Sequence, residues 1–348
     1  MINVEIVVMK FGGTSVRDQL SRYEAFKHIR REVGAGYKVV VVVSAMGRVG
    51  EAYATDTLKS LITYHVSKKE NDRLLSCGEI ISSIVMADFL LQQGLKAHAL
   101  SPAETGIKTD HTFSNANILE VRPQAILNYF EDFDVLVAPG FVGTTDQGDI
   151  TTLGRGGSDT SAVALGGALK AVYVDIYSDV EGVMTADPKL VKNARVLEKI
   201  SYDNLIALAA RGAKVIHLKA IELAKKNHVK LRLRSTTADH IGTYVVDEEV
   251  STISLAYKTG YTRYELINVS VPIEYPSLVK HGSYWYAQIS DELDVENYLK
   301  EKEITYQKEE NYVRVSLINQ QHNPIEMTYY VDAVKLEDTL NFLHYNLI

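Results

Sequence analysis

Five short apolar segments, rich in β-branched residues, alternate with segments of helical periodicity along the first 250 residues. The predicted strands are Glu5–Met9, Lys38–Val43, Asp134–Ala138, Val172–Tyr177 and Val229–Leu233. The predicted helices are Leu20–Val33, Asp72–Gln93, Ser158–Lys170, Tyr202–Ala210 and Lys214–Lys226. Continuously apolar strands suit a sheet buried on both faces, and the alternation favours parallel strands between two helical layers. The sequence therefore predicts an α/β fold, a three-layer αβα sandwich with a mainly parallel central sheet, which binds ligands at the carboxyl ends of its strands.

The last 99 residues differ in composition, which predicts a second domain. Residues 250–348 hold 12 of the 21 tyrosines but only 2 of the 22 glycines, and 14 acidic against 8 basic residues. We predict strands over 264–273, 304–318 and 325–332, and helices over Asp294–Lys302 and Lys335–Leu347. The predicted organisation is a glycine-rich catalytic domain over residues 1–248 and a small α+β domain over 249–348.

Charge and composition exclude several classes of protein. The net charge of −7 gives no basic field for nucleic acid or an anionic membrane. A single cysteine, Cys77, excludes an intrachain disulfide and a cysteine-rich zinc site. The first residues lack the basic segment and apolar core of a signal peptide, and no run approaches the ~20 apolar residues of a membrane span. We therefore expect a cytoplasmic protein that binds neither nucleic acid nor membrane.

The loop after the first predicted strand has the composition of a phosphate-binding site. That strand runs into Lys10, and Gly12, Gly13, Thr14 and Ser15 follow before a helix. Glycines expose backbone N–H groups, a helix N-terminus favours an anion, and lysine adds a point charge. The same residues would also suit a tight turn in which Thr14 or Ser15 caps the helix.

The segment Thr151–Ser161 is the most informative loop in the sequence. It places Arg155 among three glycines, and Ser158 and Asp159 then open a predicted helix. A planar guanidinium group matches a carboxylate bidentately, so the loop indicates an anion-binding site. A plain loop with Ser158 or Asp159 as the N-cap is the alternative.

Four further residues are ambiguous from their patterns alone. Glu79 lies in an otherwise apolar helix, where a carboxylate is costly unless paired, so it either meets a ligand ammonium or faces water. Thr55 and Asp56 belong either to a site or to an ordinary N-cap pair. Lys214 lies at a predicted helix start and opposes the helix dipole, which a nearby anion would explain.

Taken in order, these segments resemble the aspartate kinases of the amino-acid kinase family. The matching segments are Lys10–Ser15, Ser44–Gly47, Ser76–Glu79, Gly140–Gly143, Thr151–Ser161, Ser178–Lys189 and Gly212–His217. The resemblance covers about residues 5–245 and implies the amino-acid kinase fold. It also implies transfer of the γ-phosphoryl group of MgATP to the β-carboxylate of L-aspartate, giving 4-phospho-L-aspartate, the first step toward lysine, threonine and methionine. P-loop and protein-kinase motifs do not occur in the sequence.

The resemblance also implies residue roles, with ATP and Mg²⁺ as cofactors. Lys10 would contact the transferring phosphates, and Asp159 would hold Lys10. The aspartate site would comprise Ser44, Thr55, Glu79, Arg155, Gly156, Gly157 and Ser158, with Glu79 near the substrate ammonium and Arg155 on its α-carboxylate. The ATP site would comprise Lys10, Gly12, Gly13, Thr14, Ser178, Asp179, Met184, Asp187, Pro188, Lys189 and Lys214. No protein ligand of a metal is assigned, because Mg²⁺ is expected to be held mainly by ATP oxygens.

The chain departs from the family pattern at two residues and in its tail. Met184 stands where Tyr is common, and Leu218 where Pro commonly follows the histidine. Family members typically end in two tandem ACT modules, whereas residues 249–348 leave room for about one, without the usual glycine motif. We expect one divergent ACT-like domain that regulates or forms a homodimer or higher homo-oligomer. The alternatives are a related kinase acting on glutamate or another carboxylate, a non-catalytic amino-acid- or nucleotide-binding paralogue, and a subunit that depends on a partner chain.

Overall fold

A computed structural model describes residues 5–64, 66–267, 269, 272–321 and 323–348, with side chains left out over 319–321 and 323–326. The prediction that the first residues form no signal peptide concerns in part residues 1–4, which lie outside the described residues. The chain divides into two compact units. The first comprises Met1–Val183, Val196–Ala209 and Lys214–Glu249, and the second comprises Met184–Arg195, Ala210–Ala213 and Val250–Ile348. The predicted domain boundary at residue 248 stays a prediction, and two short segments on its amino-terminal side cluster with the second unit.

Twelve strands of the described first unit form two sheets. They are β1 Ile6–Phe11, β2 Lys38–Val43, β3 Ala97–Ala99, β4 Ile107–Thr109, β5 Ile118–Val121, β6 Val135–Pro139, β7 Val142–Thr144, β8 Ile150–Thr152, β9 Val174–Ser178, β10 Lys199–Ser201, β11 Leu231–Ser235 and β12 Thr243–Val246. The large sheet has the order β10-β12-β11-β9-β1-β2-β6-β3, and only its β11–β12 pairing is antiparallel. A smaller sheet has the order β5-β4-β7-β8.

Helices cover both faces of the large sheet. They are α1 Gly13–Val16, α2 Gln19–Gly34, α3 Thr55–Ser60, α4 Lys68–Gln92, α5 Gln124–Tyr129, α6 Gly157–Ala168, α7 Tyr202–Ala210 and α8 Leu218–Lys226. On one face, Met9 and Phe11 of β1 share a buried cluster with Phe26 of α2 and Met86 of α4. On the other face, Gly166 of α6 approaches β9 so closely that an added Cβ would lie 2.2 Å from Val174. The predicted αβα sandwich is confirmed.

Continuous burial explains why the central strands were recognisable in the sequence. Val39, Val40, Val41, Val42 and Val43 of β2 are all fully buried. Because successive side chains point to opposite faces, a strand covered on both sides needs apolar residues at every position rather than at every second one.

The long helix α4 forms part of the core of the first unit. Ser67 caps it, accepting a bond from the Glu70 N–H while the Glu70 carboxylate accepts one from the Ser67 N–H. By length and composition alone, α4 is apolar enough to cross a membrane, but 56% of its most apolar 18-residue window is buried in the structure. A buried core helix has the same composition.

The second unit contains an antiparallel sheet and two helices. Its elements are β13 Ile253–Ile267, β14 Val279–His281, β15 Tyr284–Gln288, α9 Glu292–Glu301, β16 Thr305–Gln321, β17 Asn323–Asp332 and α10 Leu336–Leu347. The strand order is β14-β15-β13-β16-β17. The strand predicted over 264–273 begins already at Ile253, and its positions 268, 270 and 271 lie outside the described residues. The pairing of β13 with β16 shifts register between Lys258 and Arg263, which obscures a period-2 pattern in the sequence.

Candidate active site

A cavity of about 470 Å³ lies in the first unit, at the carboxyl ends of β1, β2 and β8. Nine of the predicted site residues line it: Lys10, Ser44, Thr55, Glu79, Arg155, Gly156, Gly157, Ser158 and Asp159. The cavity walls therefore combine cationic and anionic side chains within reach of one small ligand. Strand ends and helix starts supply these residues, as expected for an α/β sheet.

Lys10 and Asp159 form an ion pair at the base of this cavity. The Lys10 ammonium lies 2.7 Å from a carboxylate oxygen of Asp159, and both side chains are mostly buried. The other Asp159 oxygen accepts a hydrogen bond of 3.3 Å from the His217 N–H. An ammonium carries three donors, and Asp159 can occupy one of them while fixing the direction of the others. Asp159 therefore orients Lys10 toward any anion that enters.

Glu79 points one carboxyl oxygen into the protein and leaves the other without a partner. Its Oε1 accepts a bond of 3.1 Å from the Ala45 N–H, whereas its buried Oε2 has no hydrogen-bond partner in the described structure. The side chain is only 2% exposed, so the alternative that it faces water is wrong. Burial raises the pKa of Glu79 to about 8, partly offset by the Ala45 hydrogen bond. A buried carboxyl with a free oxygen at a cavity wall is suited to a cationic ligand group.

Glycines around Arg155 set the path of its loop. Gly154 and Gly156 have φ angles of +74° and +70°, a region that disfavours other residues. A Cβ on Gly156 would lie 2.1 Å from His217, so this close approach also requires glycine. Gly156 is the N-cap of α6 and no side chain caps the helix, so neither Ser158 nor Asp159 is the cap. The exposed Arg155 is thus carried by a tightly constrained turn.

The glycine loop after β1 packs against the loop after β2. The Gly47 N–H donates to the Gly13 carbonyl at 3.0 Å, and a Cβ on Gly13 would lie 2.4 Å from the Ala45 carbonyl oxygen. The Ser15 hydroxyl shares a buried hydrogen bond of 2.7 Å with Thr236, so Ser15 does not cap a helix. The Gly13 backbone is therefore fixed close to the second loop.

The residues predicted for ATP lie in both units, and most of them are outside the cavity. Ser178 ends β9 and Asp179 follows it, and Asp179 pairs with the exposed Arg48 at 2.9 Å. The second unit contains Met184, Asp187, Pro188 and Lys189. There, the Asp187 carboxylate accepts hydrogen bonds from the Tyr257 hydroxyl and the Lys189 N–H. Gly12, Gly13 and Thr14 do not line the cavity either.

The prediction that Lys214 begins a helix is wrong. The helix α8 begins at Leu218, with His217 as the residue that precedes it, and Lys214 is an exposed loop residue. His217 occupies the space that a side chain on Gly156 would need and donates its N–H to Asp159. This packing explains why the three residues between Lys214 and Leu218 are not helical.

Several residues of the cavity wall were not selected from the sequence. They are Lys59, Asn71, Leu75, Ser114, Phe141 and Thr152. Asn71, Leu75 and Glu79 follow one another at intervals of four on α4, so they lie on one face of the helix. That spacing was the available signal for Asn71 and Leu75. Thr152 lies within the segment Thr151–Ser161 but was not chosen from it, and Ser114 had no comparable signal, because it reaches the cavity only through the fold.

Residues 5–235 match the amino acid kinase family, which is two thirds of the chain. The chain belongs to this family. Aspartokinase 1 of Bacillus subtilis (strain 168) is 49% identical over 253 residues, which cover 72% of this chain and 63% of that protein. The aspartokinase of Geobacillus stearothermophilus is 45% identical over 249 residues, covering 71% and 60%. The chain thus matches about 60% of the length of these family members.

Solved structures in the family extend the likeness to almost the whole chain. E. coli aspartokinase III in complex with aspartate and ADP has a TM-score of 0.74 at 21% identity, covering 99% of this chain and all of that one. Aspartate kinase from Synechocystis has a TM-score of 0.62 at 26% identity, covering 98% and 69%. The predicted amino-acid kinase fold with a small additional antiparallel sheet is confirmed.

Proposed function

We propose that this protein is an aspartate kinase. It transfers the γ-phosphoryl group of ATP to the β-carboxylate of L-aspartate and releases ADP and 4-phospho-L-aspartate. The observation that carries the proposal is the buried Glu79 carboxyl, which has an unpartnered oxygen and lines the same cavity as Arg155 and the Lys10–Asp159 pair. The family members named aspartokinase, and the E. coli enzyme with aspartate and ADP bound, support it.

The proposed substrate site recognises an amino acid through opposite charges. Glu79 binds the substrate ammonium through its free oxygen, and Arg155 binds the α-carboxylate through its planar fork. The other wall residues predicted for this site supply short polar or backbone contacts: Ser44, Thr55, Gly156, Gly157 and Ser158. Held at both charged groups, the substrate presents its β-carboxylate toward Lys10.

The proposed reaction needs no general base. The β-carboxylate is ionised at neutral pH because its ordinary pKa is about 4. One of its oxygens forms a bond to the γ-phosphorus, and the bond from that phosphorus to the β,γ-bridging oxygen breaks, with the electron pair leaving on ADP. Two anions must approach each other, so positioning and charge neutralisation by Lys10 lower the barrier.

ATP is proposed to bind on the side of Lys10 away from Glu79. In addition to Lys10, we assign to it Gly12, Gly13, Thr14, Ser178, Asp179 and Lys214 of the first unit. The predicted ATP contacts of Met184, Asp187, Pro188 and Lys189 lie in the second unit and stay a prediction. Within the described ranges, no three His, Cys, Asp or Glu side chains come together as a metal site. We therefore expect Mg²⁺ to arrive as the ATP complex, since this ion keeps waters and phosphate oxygens as ligands.

Replacement of Arg155 tests the substrate assignment. For Arg155→Ala we expect kcat/KM for aspartate to fall about 100-fold, because a charge-assisted contact of roughly 2–4 kcal/mol is lost. The KM for ATP should stay within twofold of wild type. Arg122→Ala removes an exposed arginine that pairs with Glu120 and Asp146 outside the cavity, and should leave both constants unchanged. Wild-type kinetics in Arg155→Ala would contradict the assignment.

The second unit is proposed to be a divergent ACT-like domain through which the protein forms homodimers or higher homo-oligomers in the cytoplasm. Its antiparallel sheet with α9 and α10 suits such a domain. The molar mass of the full chain by light scattering tests this. We expect a multiple of 38.8 kDa, and a monomer at micromolar concentration would contradict it.

A further inference from the structure

Asp72 is a fully buried carboxylate that accepts four hydrogen bonds across the fold. Its Oδ2 accepts from the N–H groups of Ser114 and Thr152 at 2.8 and 2.9 Å. Its Oδ1 accepts from their hydroxyl groups at 3.2 and 2.9 Å. An ionised carboxylate has about four acceptor sites, so these four uncharged donors can satisfy it fully. The bonds join the first turns of α4 to β8 and to the loop before β5.

The loop that contains Ser114 lies directly against the start of the arginine loop. Ser114 has φ +73°, which is uncommon outside glycine, and two of its donors are held by Asp72. The Ala116 N–H donates to the Thr152 carbonyl at 2.9 Å. The Oδ1 atom of Asn115 lies 2.6 Å from the position that a Cβ on Gly154 would occupy. The segment from Thr152 to Gly154 is thus held from two sides just before Arg155.

Helix α4 therefore contacts both halves of the proposed amino-acid site. Glu79 lines the cavity, and Asp72, seven residues earlier on the same face of α4, holds Thr152, three residues before Arg155. Both Ser114 and Thr152 line the cavity themselves. A shift of Thr152 relative to α4 would change the separation between Glu79 and the Arg155 guanidinium.

We propose that Asp72 is a positioning residue that sets Arg155 at the correct distance from Glu79. The inference rests on the proposed function, in which these two side chains hold the carboxylate and the ammonium of one amino acid. A carboxylate suits this role because every one of its partners is a donor. An alanine would leave all four donors without this partner, whereas an asparagine could turn its amide oxygen to the two N–H groups and donate its NH₂ to the two hydroxyl oxygens.

A double-mutant cycle in the full-length protein tests whether Asp72 acts through Arg155. We expect Asp72→Ala to raise KM for aspartate at least about tenfold, with KM for ATP within twofold of wild type. In an Arg155→Ala background, the same change should leave KM for aspartate unaltered, because the side chain that it positions is gone. Equal losses in both backgrounds, or an equal rise in KM for ATP, would overturn the proposal.

Matched variants separate positioning from general stability. Asp110→Ala removes a carboxylate of the same loop, which bonds Thr112 and Asn117 rather than β8, and should leave KM for aspartate unchanged. If Asp72→Ala does not fold, Thr152→Val removes the 2.9 Å hydroxyl bond and enters the same cycle. Failure of the wild-type protein to turn over aspartate would refute the proposed function. If the wild-type protein is active but the effects of the two substitutions on KM for aspartate are additive, only the positioning role is refuted.

Discussion

Lys10→Ala is expected to reduce kcat by about 10³-fold while the protein still binds aspartate. The Lys10 ammonium, held at 2.7 Å by Asp159, is the proposed cation that neutralises charge as the carboxylate meets the γ-phosphoryl group. The free energy of unfolding should change little, because the Lys10–Asp159 pair borders the cavity. Water can therefore reach the Asp159 carboxylate when Lys10 is replaced by alanine. Steady-state turnover, aspartate binding by calorimetry and Tm together measure these three effects.

Lys38→Ala is the matched control for Lys10→Ala. Lys38, at the start of β2 and thus at the opposite end of the sheet, forms a 2.9 Å pair with Asp134 that is partly buried. We expect its kcat to match wild type even if its Tm falls. A large loss of Tm in Lys10→Ala, with turnover retained in the molecules that remain folded, would contradict the catalytic role of Lys10.

Glu79→Gln is expected to raise KM for aspartate about 100-fold, because a neutral amide replaces the anion that binds the substrate ammonium. The pH dependence of wild type should reveal the same group. With a pKa of about 8 in the free protein, Glu79 is mostly protonated at pH 6, so KM for aspartate should fall as pH rises from 6 to 8. In Glu79→Gln, KM for aspartate should not change with pH over this range. A wild-type KM that is constant over this range would contradict the assignment.

The same substitution should stabilise the protein at high pH. The Glu79 carboxyl has a pKa of about 8 when folded and near 4.5 when unfolded, so between these values the folded state binds more protons. Wild type therefore loses stability as pH rises from about 4.5 to 8, by about 2–4 kcal/mol in the free energy of unfolding. Glutamine does not titrate, and its side-chain oxygen can still accept the Ala45 N–H.

Thermal unfolding at pH 5 and pH 8.5 measures the stability effect. We expect Glu79→Gln to unfold at a higher temperature than wild type at pH 8.5, with little gain at pH 5. Asp88→Asn, an exposed carboxylate on the same helix that bonds Gln92, should show no such dependence. Equal Tm values for wild type and Glu79→Gln at pH 8.5 would show that the Glu79 carboxyl is not desolvated.

Strands β1, β2, β6, β9 and β11 of the large sheet were predictable because they are buried on both faces and form continuous apolar runs in the sequence. Its strands β3, β10 and β12, the small sheet β5-β4-β7-β8 and strand β14 were not predicted, because a strand of three or four residues is too short to show a periodic pattern. The five-residue strand β15 was also missed. For β13, the register shifts near Tyr261 break the alternation from which its first half would have been recognised.

Two carboxylates on α4 illustrate what the sequence can reveal about the site. Glu79 stood out because it interrupts an apolar pattern, and the structure shows it buried at the cavity wall. Asp72 lies near the helix start, where acidic residues are ordinary, and its partners Ser114 and Thr152 are 42 and 80 residues away along the chain. No local pattern encodes such contacts. They follow from the packing of β8 and a loop against α4.

The central claim is that this chain transfers a phosphoryl group to the side-chain carboxylate of aspartate. It is tested most directly by ATP-dependent formation of the hydroxamate in hydroxylamine and Mg²⁺, with L-aspartate compared with L-glutamate. We expect aspartyl hydroxamate from wild type, no product from Lys10→Ala and little product from glutamate. Product from glutamate alone would identify a different carboxylate kinase. A folded wild type that gives no hydroxamate from either acid would contradict the proposed function.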